Sequence, residues 1–352
     1  IQLEYGKSLN SYNNGLGLYD VFGTNGKIGK TNSYLFDKPS LIIGRKGAYR
    51  EVHLATKPFF VIDTAFYTKN IIDSLNTLFL YYWFKNIDIN LMDSGSAIPS
   101  TSRDEVYDLN IRLPPLLEQN TIASILRSLD DKIDLLHRQN TTLEKMAETL
   151  FRQWFVEEAK VEWEIRPLGS LVTVKRGGSP RPIQDYLSTT GLRWLKISDA
   201  TKEKSPYIFD IKEHIKVEGL NKTTFLKAGT LVLSNSATPG IPKIIQVDSC
   251  IHDGWLHFPN SYFSNEFLYL LFKKIRPELL QQGNGSIFTN LKTDILKEYS
   301  LPIADKHSLL LFDSQVKPLF NKILTNTNQI RSLTALRDTL LPKLMSGEVR
   351  VQ

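Results

Sequence analysis

The sequence predicts a mixed α/β (α+β) protein with a pseudo-two-fold internal repeat. Two similar globular domains are each followed by a long helix, and the two helices pair antiparallel as a coiled coil. Three observations predict this. First, the chain repeats itself: Phe79-Leu80-Tyr81-Tyr82-Trp83-Phe84-Lys85 returns as Phe267-Leu268-Tyr269-Leu270-Leu271-Phe272-Lys273, five identities in seven at an offset of 188. The same offset carries Leu113-Pro114 onto Leu301-Pro302, and an offset of 190 carries Leu143–Leu150 onto Leu333–Leu340. A unit this long exceeds any solenoid repeat and reads as a duplicated module. Second, two segments place apolar residues at alternating steps of four and three, the seam of a coiled coil. Third, the remaining sequence has short β-branched and aromatic runs cut by Gly, Pro and Asn, the texture of a mixed domain.

Four segments follow in order: 1–112, 113–158, 159–300 and 301–352. In the first, Gly23-Thr24-Asn25-Gly26-Lys27 reads as an Asn-Gly hairpin turn and Ser40-Leu41-Ile42-Ile43-Gly44 as a short strand. An amphipathic helix is expected near 73–87, and its repeat near 264–275 in the third segment. The second segment runs Ile122, Leu126, Leu129, Ile133, Leu136, Asn140, Leu143, Ala147, Leu150, Trp154 along one seam. In the fourth, Phe312, Val316, Leu319, Ile323, Asn326, Ile330, Leu333, Arg337, Leu340 and Leu344 do the same, eight of the ten apolar. Each helix starts after a Leu-Pro stop, and the second ends near Ser346-Gly347. Pro318 is expected to kink the second helix or delay its regular start. If the helices pair antiparallel about their centres, Asn140 faces Asn326, and a buried amide pair would fix register; the alternative is two amides at a wet edge.

The first copy begins at Ile1, and its Leu3-Glu4-Tyr5-Gly6 already matches Val174-Lys175-Arg176-Gly177. A strand-like segment equivalent to 161–170 is therefore expected ahead of Ile1 in the full-length protein.

Composition excludes several classes. The chain has 352 residues and a net charge of +6, and its pI near 9.1 leans toward a polyanionic partner. One cysteine, Cys250, rules out an intrachain disulfide or a Cys-rich zinc site, in keeping with a reducing cytoplasm. The longest apolar run, Leu78–Phe84, is too short to span a bilayer, so no membrane partner is expected. There is no Gly-x-x-x-x-Gly-Lys-Ser/Thr loop, Gly-x-Ser-x-Gly elbow, His-Glu-x-x-His helix or Asp/Asn-Pro-Pro-aromatic string. No catalytic, cofactor-binding or metal-binding residues are assigned. His252, Asp253 and His257 have counterparts near Ile62-Asp63 without histidine, which argues against shared acid–base chemistry.

The string Leu113-Pro114-Pro115-Leu116-Leu117-Glu118-Gln119, with Ile122-Ala123 and Leu129-Asp130-Asp131-Lys132-Ile133, resembles the first conserved region of type I restriction–modification specificity subunits. So do Leu143 through Phe151-Arg152-Gln153-Trp154-Phe155 and the ending Leu340-Leu341-Pro342-Lys343-Leu344-Met345-Ser346-Gly347-Glu348-Val349. Tyr5-Gly6-Lys7-Ser8-Leu9, Gly44-Arg45-Lys46-Gly47 and Gly95-Ser96-Ala97-Ile98-Pro99 are similar to its recognition-domain strings. The resemblance implies a non-catalytic DNA-reading subunit with two target-recognition domains (1–112 and 159–300). Each would read one half of a split, asymmetric target in double-stranded DNA. The helices (113–158 and 301–352) would set the spacer and dock two modification (adenine methyltransferase) subunits, with restriction subunits completing the complex. S-adenosylmethionine would be bound by the partner methyltransferase and not by this chain. The alternatives are a coiled-coil scaffold tethering two non-DNA ligands, or an enzyme in its own right, whose cofactor constellation the sequence lacks.

On that reading, Gly44-Arg45-Lys46-Gly47-Ala48-Tyr49-Arg50 is the leading DNA contact of the first domain. Arginine suits bidentate guanine readout and lysine suits phosphate. Lys7, Lys27, Lys30, Ser94 and Ser96 join it, and a solvated hairpin tip is the alternative. In the second domain Ser234, Asn235, Ser236 and Thr238 occupy the equivalent turn, with Lys243 beyond. Lys175, Arg176, Arg181, Lys196, Asn284 and Ser286 complete the candidate face, while Trp194 reads as core. Neutral groups in one turn and cations in the other predict different half-sites with different salt dependence. Phe151, Trp154 and Phe155 are more apolar than a two-helix seam needs and are candidate partner-docking residues.

Overall fold

The computed structural model describes residues 1–12, 14–92, 98–281 and 290–351. The chain forms two compact units, Ile1–Asp134 with Arg331–Gln352, and Leu135–Ile330. Each unit combines a globular domain with part of each long helix.

In the first unit, seven strands are β1 (Gln2–Tyr5), β2 (Tyr19–Gly23), β3 (Gly26–Thr31), β4 (Ser40–Gly44), β5 (Val52–Ala55), β6 (Phe59–Val61) and β7 (Ala65–Asn70). They make a four-stranded sheet, β1-β7-β4-β5, and a three-stranded sheet, β3-β2-β6. β4 is buried at every position. Leu41 and Ile43 pack on the helical side, Ile42 on the other, so its apolar run is continuous and does not alternate. α1 (Thr77–Lys85) starts where the Asn76 side chain accepts the Phe79 N–H at 2.9 Å. It buries Phe79, Leu80, Tyr82 and Phe84 against β4 and against Ile122, Leu126, Leu344 and Met345. Each such large side chain contributes about 1.5–3 kcal/mol of transfer free energy. α2 (Arg103–Tyr107) carries a Ser102/Glu105 capping box, and α3 (Leu116–Arg152) follows.

The second unit repeats this plan with additions. Its strands are β8 (Glu164–Pro167), β9 (Lys175–Arg176), β10 (Leu187–Ser188), β11 (Leu192–Leu195), β12 (Tyr207–Ile208), β13 (His214–Ile215), β14 (Thr224–Leu226), β15 (Leu231–Ser234), β16 (Pro242–Ile245), β17 (Ser249–Ile251), β18 (Trp255–His257) and β19 (Ser300–Ile303). Its helices are α4 (Ile197–Lys202), α5 (Asn265–Gln281) and α6 (Thr293–Glu298), and α7 (Lys306–Ser346) belongs to it as far as Ile330. The sheet β9-β18-β15-β16-β12 matches β1-β7-β4-β5 strand for strand and adds β12 at the edge. β11 lies parallel to β17 as β2 lies parallel to β6, but β10, β13 and β14 widen that sheet to five strands. β8 pairs antiparallel with β19 immediately before α7.

α3 and α7 run antiparallel. In the second unit Phe151 of α3 meets Phe312 of α7 at a 6.0 Å ring separation, and Asn326 donates to the Asn140 amide oxygen at 3.0 Å. In the first, Arg337 Nη1 donates to Asp130 at 2.8 Å, and Ile122 and Leu126 share a core with Leu344. The seam positions Ile122, Leu126, Leu136 and Ala147, and Phe312, Val316, Ile323 and Asn326, are all buried. Pro318 neither breaks α7 nor delays it: the helix begins at Lys306 and passes through. Pro318 and Ser314, one turn back, are both exposed, so the carbonyl that loses its partner faces water. α7 ends at Ser346, where Gly347 takes φ = 77° and Val349 N–H returns to the Lys343 carbonyl at 3.1 Å.

Candidate nucleic-acid interface

Each unit holds the same construction at the end of its central strand. In the first, the turn after β4 is tied to the turn before β7: Arg45 N–H donates to the Thr64 carbonyl at 2.9 Å, and Thr101 N–H to the Arg45 carbonyl at 2.9 Å. In the second, Asn235 N–H donates to the Gly254 carbonyl and Leu291 N–H to the Asn235 carbonyl, both at 2.7 Å. β1 and β9 join these turns through a glycine. A Cβ on Gly6 would sit 2.0 Å from the Ile62 carbonyl oxygen, and one on Gly177 2.2 Å from that of His252. Gly47 (φ = 117°) and Ala237 (φ = 58°) hold the equivalent left-handed position. The two turns share these backbone hydrogen bonds and differ in their side chains.

In the first unit the Arg45 guanidinium lies 4.9 Å from the Tyr5 ring centre, and Arg103 lies 4.5 Å from the same ring. Arg45 Nη1 donates to the Asp63 carbonyl at 3.3 Å, and Lys46 Nζ pairs with the Asp63 carboxylate at 3.6 Å. Thr24 Oγ1 lies 2.9 Å from both the Lys46 and the Thr64 carbonyl and shares its one proton between them, tying the turn to the β2–β3 hairpin. Tyr49 is exposed. Stacking on tyrosine orients guanidinium planes without consuming their in-plane donors, so the cluster offers preset cations to a polyanion.

In the second unit the hub is Asp253. Its carboxylate accepts Ser179 Oγ at 2.7 Å and Arg181 Nη2 at 3.0 Å, and its carbonyl accepts Arg176 Nη2 at 2.9 Å. The Ser179 hydrogen bond, then the Arg181 charge, hold the Asp253 carboxyl below the usual range. Alongside, Arg181, Lys196, Ser236, Ala237 and His252 line an open cleft of about 810 Å³ floored by Trp194. His252 Nδ1 accepts the Gly254 N–H at 2.9 Å, and burial lowers the pKa of the imidazole. Lys196 is paired with Glu213. Among the described residues no His/Cys/Asp/Glu cluster could hold a metal ion, and no helix is long and apolar enough to cross a membrane.

Comparison with known proteins decides the family. The family model for the type I restriction modification DNA specificity domain matches residues 4–145 and again 160–308. The chain belongs to this family. It is 28% identical to the type I restriction enzyme MjaIX specificity subunit of Methanocaldococcus jannaschii, over 90% of this chain and 79% of that one. It is 23% identical to the HindI specificity subunit of Haemophilus influenzae, over 72% of each. The fold is similar to that of the S subunit from M. genitalium, with a TM-score of 0.67 at 20% identity, covering 98% of this chain and 93% of that one. This is a non-catalytic DNA specificity subunit, and the enzymatic activities of such systems sit in other subunits.

The specificity subunit brings Arg45 and Lys46 to the Asp63 turn and Arg176 and Arg181 to the Asp253 turn, with Ser236 in the cleft; Lys7 is exposed, and its backbone N–H donates to the Val61 carbonyl at 2.9 Å. Lys175 is exposed beside Arg176, and Thr238 is half-buried in its turn. Lys27 and Lys30 sit elsewhere, both on Asp20 at 2.6 and 3.6 Å. Ser94, Ser96, Asn284 and Ser286 lie outside the described residues. Six expectations are corrected. Arg50 is buried and donates Nη2 to the carbonyls of Ile89, Asn90 and Met92, which makes it a loop anchor. Lys243 is buried on the carbonyls of Glu203 and Ser205 at 2.7 and 2.5 Å, and burial lowers its pKa to about 8. Ser234 is buried and closes its own turn by donating to the Thr238 carbonyl at 2.6 Å, and the Asn235 side chain is buried as well. Phe151 and Phe155 are no docking surface: both pack inside the unit against Phe267 and Phe312, at ring separations of 4.8–6.0 Å. Trp154 is half-buried at the edge of that cluster. Tyr5 and Arg103 were missed. They lie 98 residues apart, and only the repeated Tyr5-Gly6 against Arg176-Gly177 hinted that position 5 borders the turn.

Proposed function

We propose that this specificity subunit reads a bipartite, asymmetric target in double-stranded DNA, one half through each domain. The observation that carries this is the repeated turn construction filled with different chemistry. The first domain presents stacked and exposed cations, and the second presents a buttressed arginine beside an open cleft of mixed lining. Similarly bonded turns holding unlike side chains suit two unequal half-sites. The antiparallel pair α3/α7 acts as the spacer between half-sites and docks two modification subunits, with restriction subunits joining them. Methyl transfer from S-adenosylmethionine to adenine belongs to the modification subunit, with the adenine turned out of the duplex there. The complex works in the cytoplasm, where its DNA is.

The test is a domain exchange. Residues 159–300 are replaced by the corresponding domain of a relative, and the chain is co-expressed with its modification subunit. N6-methyladenine mapping should then show one half of the motif changed and the other half and gap kept. A change in both halves, or in neither, contradicts the assignment.

A further inference from the structure

The turn before β18 carries an aspartate whose work differs from that of its repeat partner. Asp63 spends its carboxylate on Lys46, a long and exposed pair at 3.6 Å. Asp253 instead binds two groups from one short segment, Ser179 and Arg181, and takes Arg176 on its carbonyl. That segment is stiffened by Pro180 and Pro182 on either side of Arg181, each with φ locked by its ring. Arg181 is 76% exposed, and one of its amino groups is held by Asp253 at 3.0 Å. A free arginine of that exposure would sample many rotamers and lose about 2 kcal/mol of rotamer freedom on ordering. Anchoring one edge of the guanidinium leaves its other edge preset for a bidentate acceptor, and the O6/N7 pair of guanine is the base edge with that geometry. Lys46 on Asp63, a point charge on a flexible stem, suits phosphate.

We infer that Arg181 is a specificity-determining residue reading a guanine of the second half-site, and that Asp253 is its positioning residue. The inference rests on the proposed reading that the Asp253 turn faces DNA.

Asp253→Asn tests it, because the amide keeps an acceptor for Ser179 and the backbone carbonyl for Arg176, but loses the charged anchor of Arg181. The full chain is co-expressed with its modification subunit and methylated adenines are mapped. One guanine position in the second half-site should relax, with discrimination falling about ten-fold or more, while the first half-site and the gap stay unchanged. Arg181→Lys should relax the same position. A merely structural role for Asp253 would lower methylation at every site alike without changing the motif, and that result overturns the inference. So does an unchanged motif in Asp253→Asn, or relaxation at a different position in Arg181→Lys. If Asp253→Asn does not accumulate, Arg181→Lys alone decides, and an unchanged motif overturns the inference. A parental chain that writes no bipartite motif defeats the proposed function itself and this inference with it. A parental motif insensitive to both variants defeats the inference alone.

Discussion

Replacing Asn326 by leucine should make the second unit more stable. Asn326 is fully buried in the helix seam. Its Nδ2 donates to Asn140 Oδ1 at 3.0 Å and to Gln139 Oε1 at 3.4 Å, while its own Oδ1 has no partner among the described residues. A buried acceptor without a partner costs about 1–3 kcal/mol, and each hydrogen bond returns only about 1 kcal/mol net. Asn140 is half-buried and Gln139 exposed, so both recover water when the donor leaves. Leucine adds about 2 kcal/mol of apolar burial. The balance favours the variant by about 2 kcal/mol, which for a unit of about 200 residues raises Tm by roughly 4–8 °C. Calorimetric unfolding of the full chain measures it. A fall in Tm would refute the reasoning and show that the amide network stabilises on balance. The loss should appear elsewhere: with the polar pair gone, register is less strictly specified.

Three further outcomes follow from buried or strained groups. Lys243 titrates near 8 in the folded chain and near 10.4 unfolded, so the unfolded state carries the extra proton between those values. Stability should therefore rise with pH across that window, by up to about 3 kcal/mol, and a denaturation series should find Lys243→Met without this rise. Arg50→Ala should destabilise the first unit by about 3 kcal/mol or more, since three loop carbonyls lose their donor and a cavity remains. Urea unfolding reads the loss. Ala237→Gly should stabilise by about 1 kcal/mol, because φ = 58° strains an alanine where Gly47 serves the first copy; equal or lower stability contradicts this.

Much of the fold was legible because duplication and heptad spacing are properties of residue order. The match of Phe79–Lys85 with Phe267–Lys273 marked α1 and α5 as equivalents, and the four-three steps located α3 and α7. Asn140 and Asn326 could be paired on paper because an antiparallel seam has fixed arithmetic. The site was less legible, for a physical reason. Within a turn, neighbouring polar residues point in different directions, and no periodicity says which. Arg45 and Lys46 emerge, while Arg50 turns inward to cap the Ile89–Met92 carbonyls; Ser236 lines the cleft, while Ser234 and Asn235 close the backbone. Phe151 and Phe155 misled because their partners on α5 and α7 lie more than a hundred residues away. Pro318 does not delay α7 because the penalty of a helical proline depends on which face it occupies, and here that face is wet.

One chain that reads two unequal half-sites at a fixed separation leaves a distinctive methylation pattern. The most direct measurement is to co-express the specificity subunit with its cognate modification subunit and map N6-methyladenine across the host genome. A single bipartite motif is expected, two different half-sites with an invariant gap. Methylation that does not depend on this chain, despite a soluble complex, or a continuous motif without a gap, would contradict it.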